Sequence, residues 1–195
     1  KKMGFKINLF FVSPDYSKKR FNNRLLNKTY LFFDKFCTKN CNRNICNSKY
    51  VINEKIKSYG LSKNDKRFLH IPNIPNPWIV DKYKKNEKIS NRVIYVGDVS
   101  SQNNFKSIFD SIYELKKKYK NLHLMIIGSG NKEKELRDYS KKKKYDFIEF
   151  KGNLNHEDTL KEISLSEIGI ALYNGNMNYD DFRDSCKIRE YQALG

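Results

Sequence analysis

From Arg92 onward the chain alternates short apolar runs with longer amphipathic segments, and this alternation constrains its fold more than any other feature. Arg92 to Gly97 (RVIYVG) is a continuous apolar run, the pattern of a strand buried on both faces of a parallel sheet. Asn104 to Tyr119 follows as a helix with Phe105, Ile108, Phe109, Ile112 and Leu115 on one face. Leu122 to Gly128 (LHLMIIG) is a second buried strand, and Gly128-Ser129-Gly130 turns it into a helix over 132–143. Phe147 to Phe150 makes a third strand, ending at Gly152, and His156 to Leu165 a further helix. Ile168 to Tyr173 reads as a fourth buried strand. Strand and helix in strict alternation predict an α/β fold, a doubly wound parallel sheet with right-handed crossovers. Such sheets bind ligands outside the carboxyl ends of their strands. Those ends are Gly97-Asp98, Gly128-Ser129-Gly130, Gly152-Asn153 and the loop before Lys187.

The chain ends on KIREYQALG, Lys187 to Gly195, after a polar loop from Asn174 to Arg183. Asp184 or Ser185 is placed to cap a helix here. Ile188, Tyr191 and Leu194 recur at a spacing of three and are expected to face a core, with Lys187 and Glu190 on a neighbouring face. Lys187 falls in the first helical turn, where the helix dipole disfavours a cation. Either Asp184 offsets it, or an anion binds there, held by backbone N–H groups and Lys187 together. Position alone does not separate the two.

The first part of the chain is different in kind. Residues 20–37 read as an amphipathic helix with Phe21, Leu25, Tyr30, Phe33 and Phe36 among its apolar positions. A short strand around Ile45, a helix over 49–59 closed by Gly60, and a strand from Arg67 to Ile71 follow. IPNIPNPW, with Pro72, Pro75 and Pro77, reads as a hinge, and Asp81 to Asn91 is lysine-rich and poorly patterned. These features divide the chain into a first domain over 1–76, a linker over 77–91 and a second domain over 92–195. Of the net charge of +17, residues 1–90 hold 21 Lys and Arg against 6 Asp and Glu, or +15, whereas residues 91–195 hold 18 against 16, or +2. A basic first part is either a solvated surface or one attracted to lipid headgroups or nucleic acid. No run of 18 apolar residues is present, so no transmembrane helix is expected. The apolar start, Ile7 to Val12, reads as a strand rather than a signal peptide. Cys37, Cys41 and Cys46 lack the spacing of a disulfide framework or a zinc site, which points to reduced thiols and a cytoplasmic location.

Residues 92–195 resemble most of the C-terminal, nucleotide-sugar-binding domain of a GT-B glycosyltransferase, and are most similar to the large retaining family 4. The resemblance is carried by YVG (Tyr95 to Gly97), IIGSG (Ile126 to Gly130), FKGNLNHEDTL (Phe150 to Leu160) and K-x-x-E-Y-x-A-x-G from Lys187 to Gly195. Residues 44–80 are similar to the end of that family's N-terminal domain, so the fold implied is a GT-B second domain with a partial first one. The chain is accordingly expected to be cut at both sides, without the early acceptor-side strands and without the strand after Gly195. The resemblance implies Lys187 on the donor diphosphate and Glu190 on the ribose hydroxyls. It places Gly97, Asp98, Gly128, Gly130, Gly152, Asn153, Leu154, Asp181 and Ser185 around the donor. Developing charge on the leaving diphosphate would be met by Lys187 and the helix N-terminus, with no metal and no cofactor expected.

The sequence departs from the family pattern in two places. Phe182 stands where many members have the first glutamate of an E-x7-E motif, with Asp180 and Asp181 nearby. No basic pair follows the first strand, where Lys106 is the nearest cation and Arg183 a second candidate. The activity implied is transfer of a hexose, with retention, from a nucleoside diphosphate to a glycan, polysaccharide or lipid-linked acceptor. The basic residues 1–90 would then lie on an anionic membrane face. Two alternatives remain: a degenerate transferase domain with an assembly role, or a nucleic-acid-binding protein. The second is disfavoured, because the basic part has no recognition motif and its aromatics fall at helical core spacing. His123 reads as a packing residue of its strand, and His156 as a helix-start residue.

Overall fold

The computed structural model describes residues 9–12, 20–100, 104–172 and 185–195. The chain divides into two units between Asn73 and Ile74. The first has the order β1 (Phe10–Val12), α1 (Arg24–Asn40), β2 (Arg43–Cys46), α2 (Lys49–Tyr59) and β3 (Phe68–His70). Its three strands form a parallel sheet in the order β1-β2-β3. Asn23 caps α1 by accepting from the N–H groups of Leu25 and Leu26, and Gly60 ends α2 in the left-handed conformation at φ 62°.

The inward face of α1 is not the apolar one. Leu25, Phe33 and Phe36 are exposed, as are Leu26 and Phe32, whereas Asp34 and Thr38 are the buried residues of the helix. The partner that reverses the expected orientation is Lys55 of α2, which is fully buried. Its ammonium donates to Asp34 Oδ1 at 2.7 Å and to Thr38 Oγ1 at 3.3 Å, and Tyr59 donates to Asp34 Oδ2 at 2.5 Å. Cys46, also fully buried, lies in the same core, and burial pushes its thiol up to about 11. A buried charge that loses its partner costs about 3–5 kcal/mol. Lys55→Ala should therefore destabilise the first unit by about that amount, read as a lower urea midpoint by circular dichroism, while Lys57→Ala on the exposed side should change little.

The second unit begins with a helix where sequence patterning indicated a linker. The elements are α3 (Pro77–Tyr83), β4 (Ile89–Val96), α4 (Phe105–Lys116), β5 (His123–Ile127) and α5 (Glu133–Lys143). They continue as β6 (Ile148–Gly152), α6 (His156–Ser164), β7 (Ser166–Ile170) and α7 (Cys186–Leu194). Asn76 caps α3 by accepting from Trp78 N–H, and Pro77 occupies the first helical position, where its missing N–H costs nothing. The four strands are all parallel, in the order β6-β5-β4-β7. Period-two alternation along β4 and β5 sorts their side chains onto two faces. Val93, Tyr95, Leu124 and Ile126 meet Phe105, Phe109 and Ile112 of α4 and Leu136 of α5. Ile94, Met125 and Ile127 meet Val80 of α3, Leu160 and Ile163 of α6 and Leu194 of α7. Helices cover both faces, which makes the sheet doubly wound and Rossmann-like.

Two expected core positions are not in it. Leu115 is exposed at the far end of α4. The fourth strand is one edge of the described sheet rather than a buried strand, with Ile168 53% exposed. A small polar cluster closes the first face. Asp110 of α4 accepts from Tyr145 at 2.7 Å and from Tyr139 at 2.9 Å, and these bonds hold its carboxyl below the usual range. Asp110 thus contributes stability that is present above the unfolded carboxylate pKa of about 3.9 and is lost as pH falls through the lower folded value. Thermal midpoints measured from about pH 6 down to about pH 3 should show a smaller acid-side decline in Asp110→Asn than in the wild type.

Candidate functional site

Strand order reverses at β4, with β5 and β6 to one side and β7 to the other, so β4 and β7 flank the switch point of the sheet. Parallel strands with crossovers to opposite sides diverge there and leave a crevice at their carboxyl ends. Helix α7 lies across this crevice and is anchored in three ways. Tyr191 Oη accepts from Val96 N–H of β4 at 3.0 Å and donates to Ile170 O of β7 at 3.3 Å, so one hydroxyl bridges the two strands. Leu194 is buried among α6 and β5 side chains. Lys88 donates to Leu194 O at 3.0 Å, a cation on the final carbonyls of a helix.

The ring of Tyr191 has its place because residue 169 is glycine: a Cβ there would stand 2.5 Å from the ring. Glycine inside a strand marks such a close approach. Tyr191 was expected only as a core residue, and the Ile168-Gly169-Ile170 run is the signal for its larger role. Ile188, expected beside it in the core, is 36% exposed; Ala193 packs inward instead.

With α7 held in this way its first turn meets the end of β4. Lys187 Nζ lies 4.8 Å from the centroid of Tyr95 and 2.7 Å from where a Cβ on Gly97 would be. Ser185 is at the N-cap position but makes no side-chain capping bond, and Arg189 N–H donates to Ser185 O at 3.2 Å. Glu190, one turn further along, has a side chain only 13% exposed, and His156 Nε2 approaches its Oε1 at 2.8 Å. A carboxylate only accepts, so Nε2 is the donor in this bond. The histidine is not needed as a helix cap, because Asn155 Oδ1 accepts from Asp158 N–H at 2.8 Å and does that work. This cross-helix contact was missed from sequence; the signal was the asparagine immediately before it.

The remaining predicted residues gather at the same sheet end, and most are engaged with one another. Gly128, at φ 125°, lies so close to the Gly97 carbonyl that a Cβ would stand 2.0 Å from its oxygen. A Cβ on Gly130 would meet the Val99 carbonyl at 2.2 Å. Backbone bonds stitch these loops together: Gly97 N–H to Ile127 O, Val99 N–H to Ser129 O and Gly128 N–H to Gly152 O. Asn153 Nδ2 donates to Ser129 Oγ at 2.8 Å, and Leu154 packs on the core beneath α6. Asp98 is exposed, and its carbonyl accepts from Tyr95 Oη at 2.9 Å. Asp181 lies outside the described residues, as do Asp180, Phe182, Arg183 and Asp184. Lys106 is directed elsewhere: it pairs with Glu135 of α5 at 2.7 Å and lies over the Tyr139 ring. Bonds from Lys106 and Lys132 hold the Glu135 carboxyl down to about 2.

The doubly wound parallel sheet with its covering helices has the fold of the C-terminal domain of GT-B glycosyltransferases. Residues 79–172 match the family described as Glycosyl transferases group 1. Among solved structures, the pneumococcal O-GlcNAc transferase GtfA, in complex with UDP and GlcNAc, is similar at 14% identity and a TM-score of 0.67, over 96% of this chain and 36% of that one. TarM of S. aureus is similar at 10% identity and a TM-score of 0.67, over 96% and 35%. HepE of Anabaena, in complex with UDP, is similar at 14% identity and a TM-score of 0.58, over 83% and 46%. The chain thus spans between a third and a half of the length of these proteins. No curated protein sequence matches it.

The Tyr191 bridge carries a direct expectation. Tyr191→Phe keeps the ring and removes the bridge, leaving Val96 N–H without its partner, at a cost of about 1–3 kcal/mol. The thermal midpoint should fall accordingly, and Gly169→Ala should destabilise by displacing the same ring.

Proposed function

We propose that this chain is part of a GT-B glycosyltransferase and binds a nucleoside-diphosphate sugar at the carboxyl end of β4. The observation that carries the reading is the convergence of Lys187 and Gly97, with Glu190 one turn away, at the switch point of the sheet. An ammonium and the amino end of a helix favour a dianionic diphosphate, and both would stabilise charge developing on it as the glycosidic bond breaks. The match to the glycosyltransferase family over residues 79–172 supports the chemistry, and the UDP held by GtfA and HepE supports the ligand class. Glu190, acceptor-only, suits ribose hydroxyls. Gly97, Gly128, Gly130, Gly152 and Asn153 shape the floor, and Leu154 and Ser185 border it; Asp98 and Asp181 complete the proposed donor set.

The finer reading is transfer of a hexose with retention, without a metal, to a glycan, polysaccharide or lipid-linked acceptor. The enzyme would work in the cytoplasm on the inner face of the membrane. Helix α1 favours the membrane element of this reading. Its outer side presents Leu25, Leu26, Phe32, Phe33 and Phe36 together with Arg24, Lys28, Lys35 and Lys39, and its one acidic residue, Asp34, is buried. Apolar side chains and cations on one exposed helix match the two terms of binding to an anionic bilayer surface. Sequence patterning had counted Leu25, Phe33 and Phe36 among the apolar positions of an amphipathic helix.

The test is calorimetric titration of the chain with UDP, GDP and ADP. One of the three should bind, and Lys187→Ala should weaken it by about tenfold or more, the scale of a charge-assisted hydrogen bond. A folded protein that binds none of them, or a Lys187→Ala variant that binds equally well, overturns the donor site.

A further inference from the structure

Glu190 is the one acidic side chain of α7, and its orientation is set from another element. Three residues beyond Lys187 along a helix is an axial advance of about 4.5 Å, so a ligand whose phosphates lie at Lys187 brings its adjoining sugar alongside Glu190. A glutamate has three rotatable bonds, and a ligand that must order it loses affinity to that ordering. Here the ordering precedes any ligand. His156 Nε2 donates to Oε1 at 2.8 Å, and the Glu190 side chain is 13% exposed against 57% for the histidine. The more exposed imidazole thus holds one oxygen of a carboxylate that is itself largely shielded from solvent.

The histidine is held as well. It is the first residue of α6, directly after Asn155, whose side chain closes the helix start. The next residue, Glu157, accepts from Lys82 and, at 3.0 Å, from Tyr83 of α3, which ties the first turn of α6 to a third helix. A single N–H occupies one lone pair of Oε1 and leaves the remaining acceptor sites of the carboxylate for ligand hydroxyls. Two hydroxyls on adjacent carbons match a carboxylate fixed in one plane better than one hydroxyl does.

We infer that His156 is a positioning residue: it fixes the Glu190 carboxylate so that the site selects a ribonucleotide over a 2′-deoxyribonucleotide. This rests on the donor-site reading above, because it assigns a selectivity to that same site.

The experiment compares affinities for whichever of UDP, GDP and ADP binds the wild-type chain and for its 2′-deoxy counterpart, in the wild type, His156→Ala, His156→Gln and Glu190→Ala. The wild type should prefer the ribonucleotide by about tenfold, the scale of hydrogen bonds to a charged group. Glu190→Ala should abolish the preference. In His156→Ala the ribonucleotide should weaken toward the deoxy value while the deoxy value stays put, and His156→Gln, which keeps a donor, should recover most of the preference. Equal weakening of both ligands in His156→Ala is the signature of a purely structural role and overturns the inference. So does an unchanged preference in that variant, or no preference in the wild type, with the donor site intact in both cases. Failure of all three nucleotides to bind the wild type overturns the donor site itself, and the inference with it.

Discussion

The second unit depends on how the carboxyl ends of the paired strands β4 and β7 are tied together. Where two parallel strands send their crossovers to opposite faces, the backbone groups at their ends have no common neighbour. The Tyr191 hydroxyl supplies one, accepting from Val96 N–H and donating to Ile170 O. A hydroxyl is both donor and acceptor, which a backbone N–H or C=O alone is not. The bridge requires the ring to lie against β7, and the ring lies there because Gly169 has no side chain. With Tyr191 fixed, and with Leu194 buried and capped through its carbonyl by Lys88, the rotation and direction of α7 are determined. The location of Lys187 at Gly97 follows from that, four residues back along the same helix.

The first unit shows a different balance. Its α1–α2 contact is organised around Lys55 and Asp34, a pair whose desolvation offsets much of its attraction. The pair contributes less to net stability than to choice of orientation. Turning α1 so that its aromatics faced α2 would carry Asp34 out to solvent and leave the Lys55 ammonium buried without its carboxylate, and that penalty outweighs the area of Phe33 or Phe36. The outward aromatics of α1 are therefore a consequence of an inward ion pair.

The same contrast explains which parts were legible in the sequence. Strand runs such as RVIYVG and LHLMIIG announced themselves, because burial on both faces leaves little room for polar residues. The glycines after them marked sharp turns, and Lys187 stood out as a cation at the wrong end of a helix. What escaped depended on partners distant in sequence. Asp34 looked like an ordinary polar interruption until Lys55, 21 residues on, made it the inward face. Ile188 fits the core stripe of α7 by spacing, yet the helix is rotated by the Tyr191 bridge and leaves it at the surface. Asn76-Pro77 carried a sufficient helix-start signal, but three prolines in six residues obscured it. His156 does begin α6, as its position in the sequence indicated, but its contact with Glu190, 34 residues on, was not visible there.

The glycine-rich turns and the charged helix divide the labour at this site. Gly128 and Gly130 lie so near neighbouring carbonyls that their small size is accounted for by the packing of one loop on another, whereas the small size of Gly97 makes room for the Lys187 side chain. In the proposed site they build a floor of close-packed backbone. Recognition in that proposed site falls to α7, where Lys187 and Glu190 sit three apart, the spacing at which opposite charges on a helix attract each other. The structure sends them in different directions, the ammonium to Tyr95 and the Gly97 end of β4, the carboxylate to His156. Two charges drawn apart in this way present a cation and an acceptor to one ligand at neighbouring points. That matches a molecule with an anionic group at one end and hydroxyls a few ångströms away, which is the chemistry of a nucleoside diphosphate.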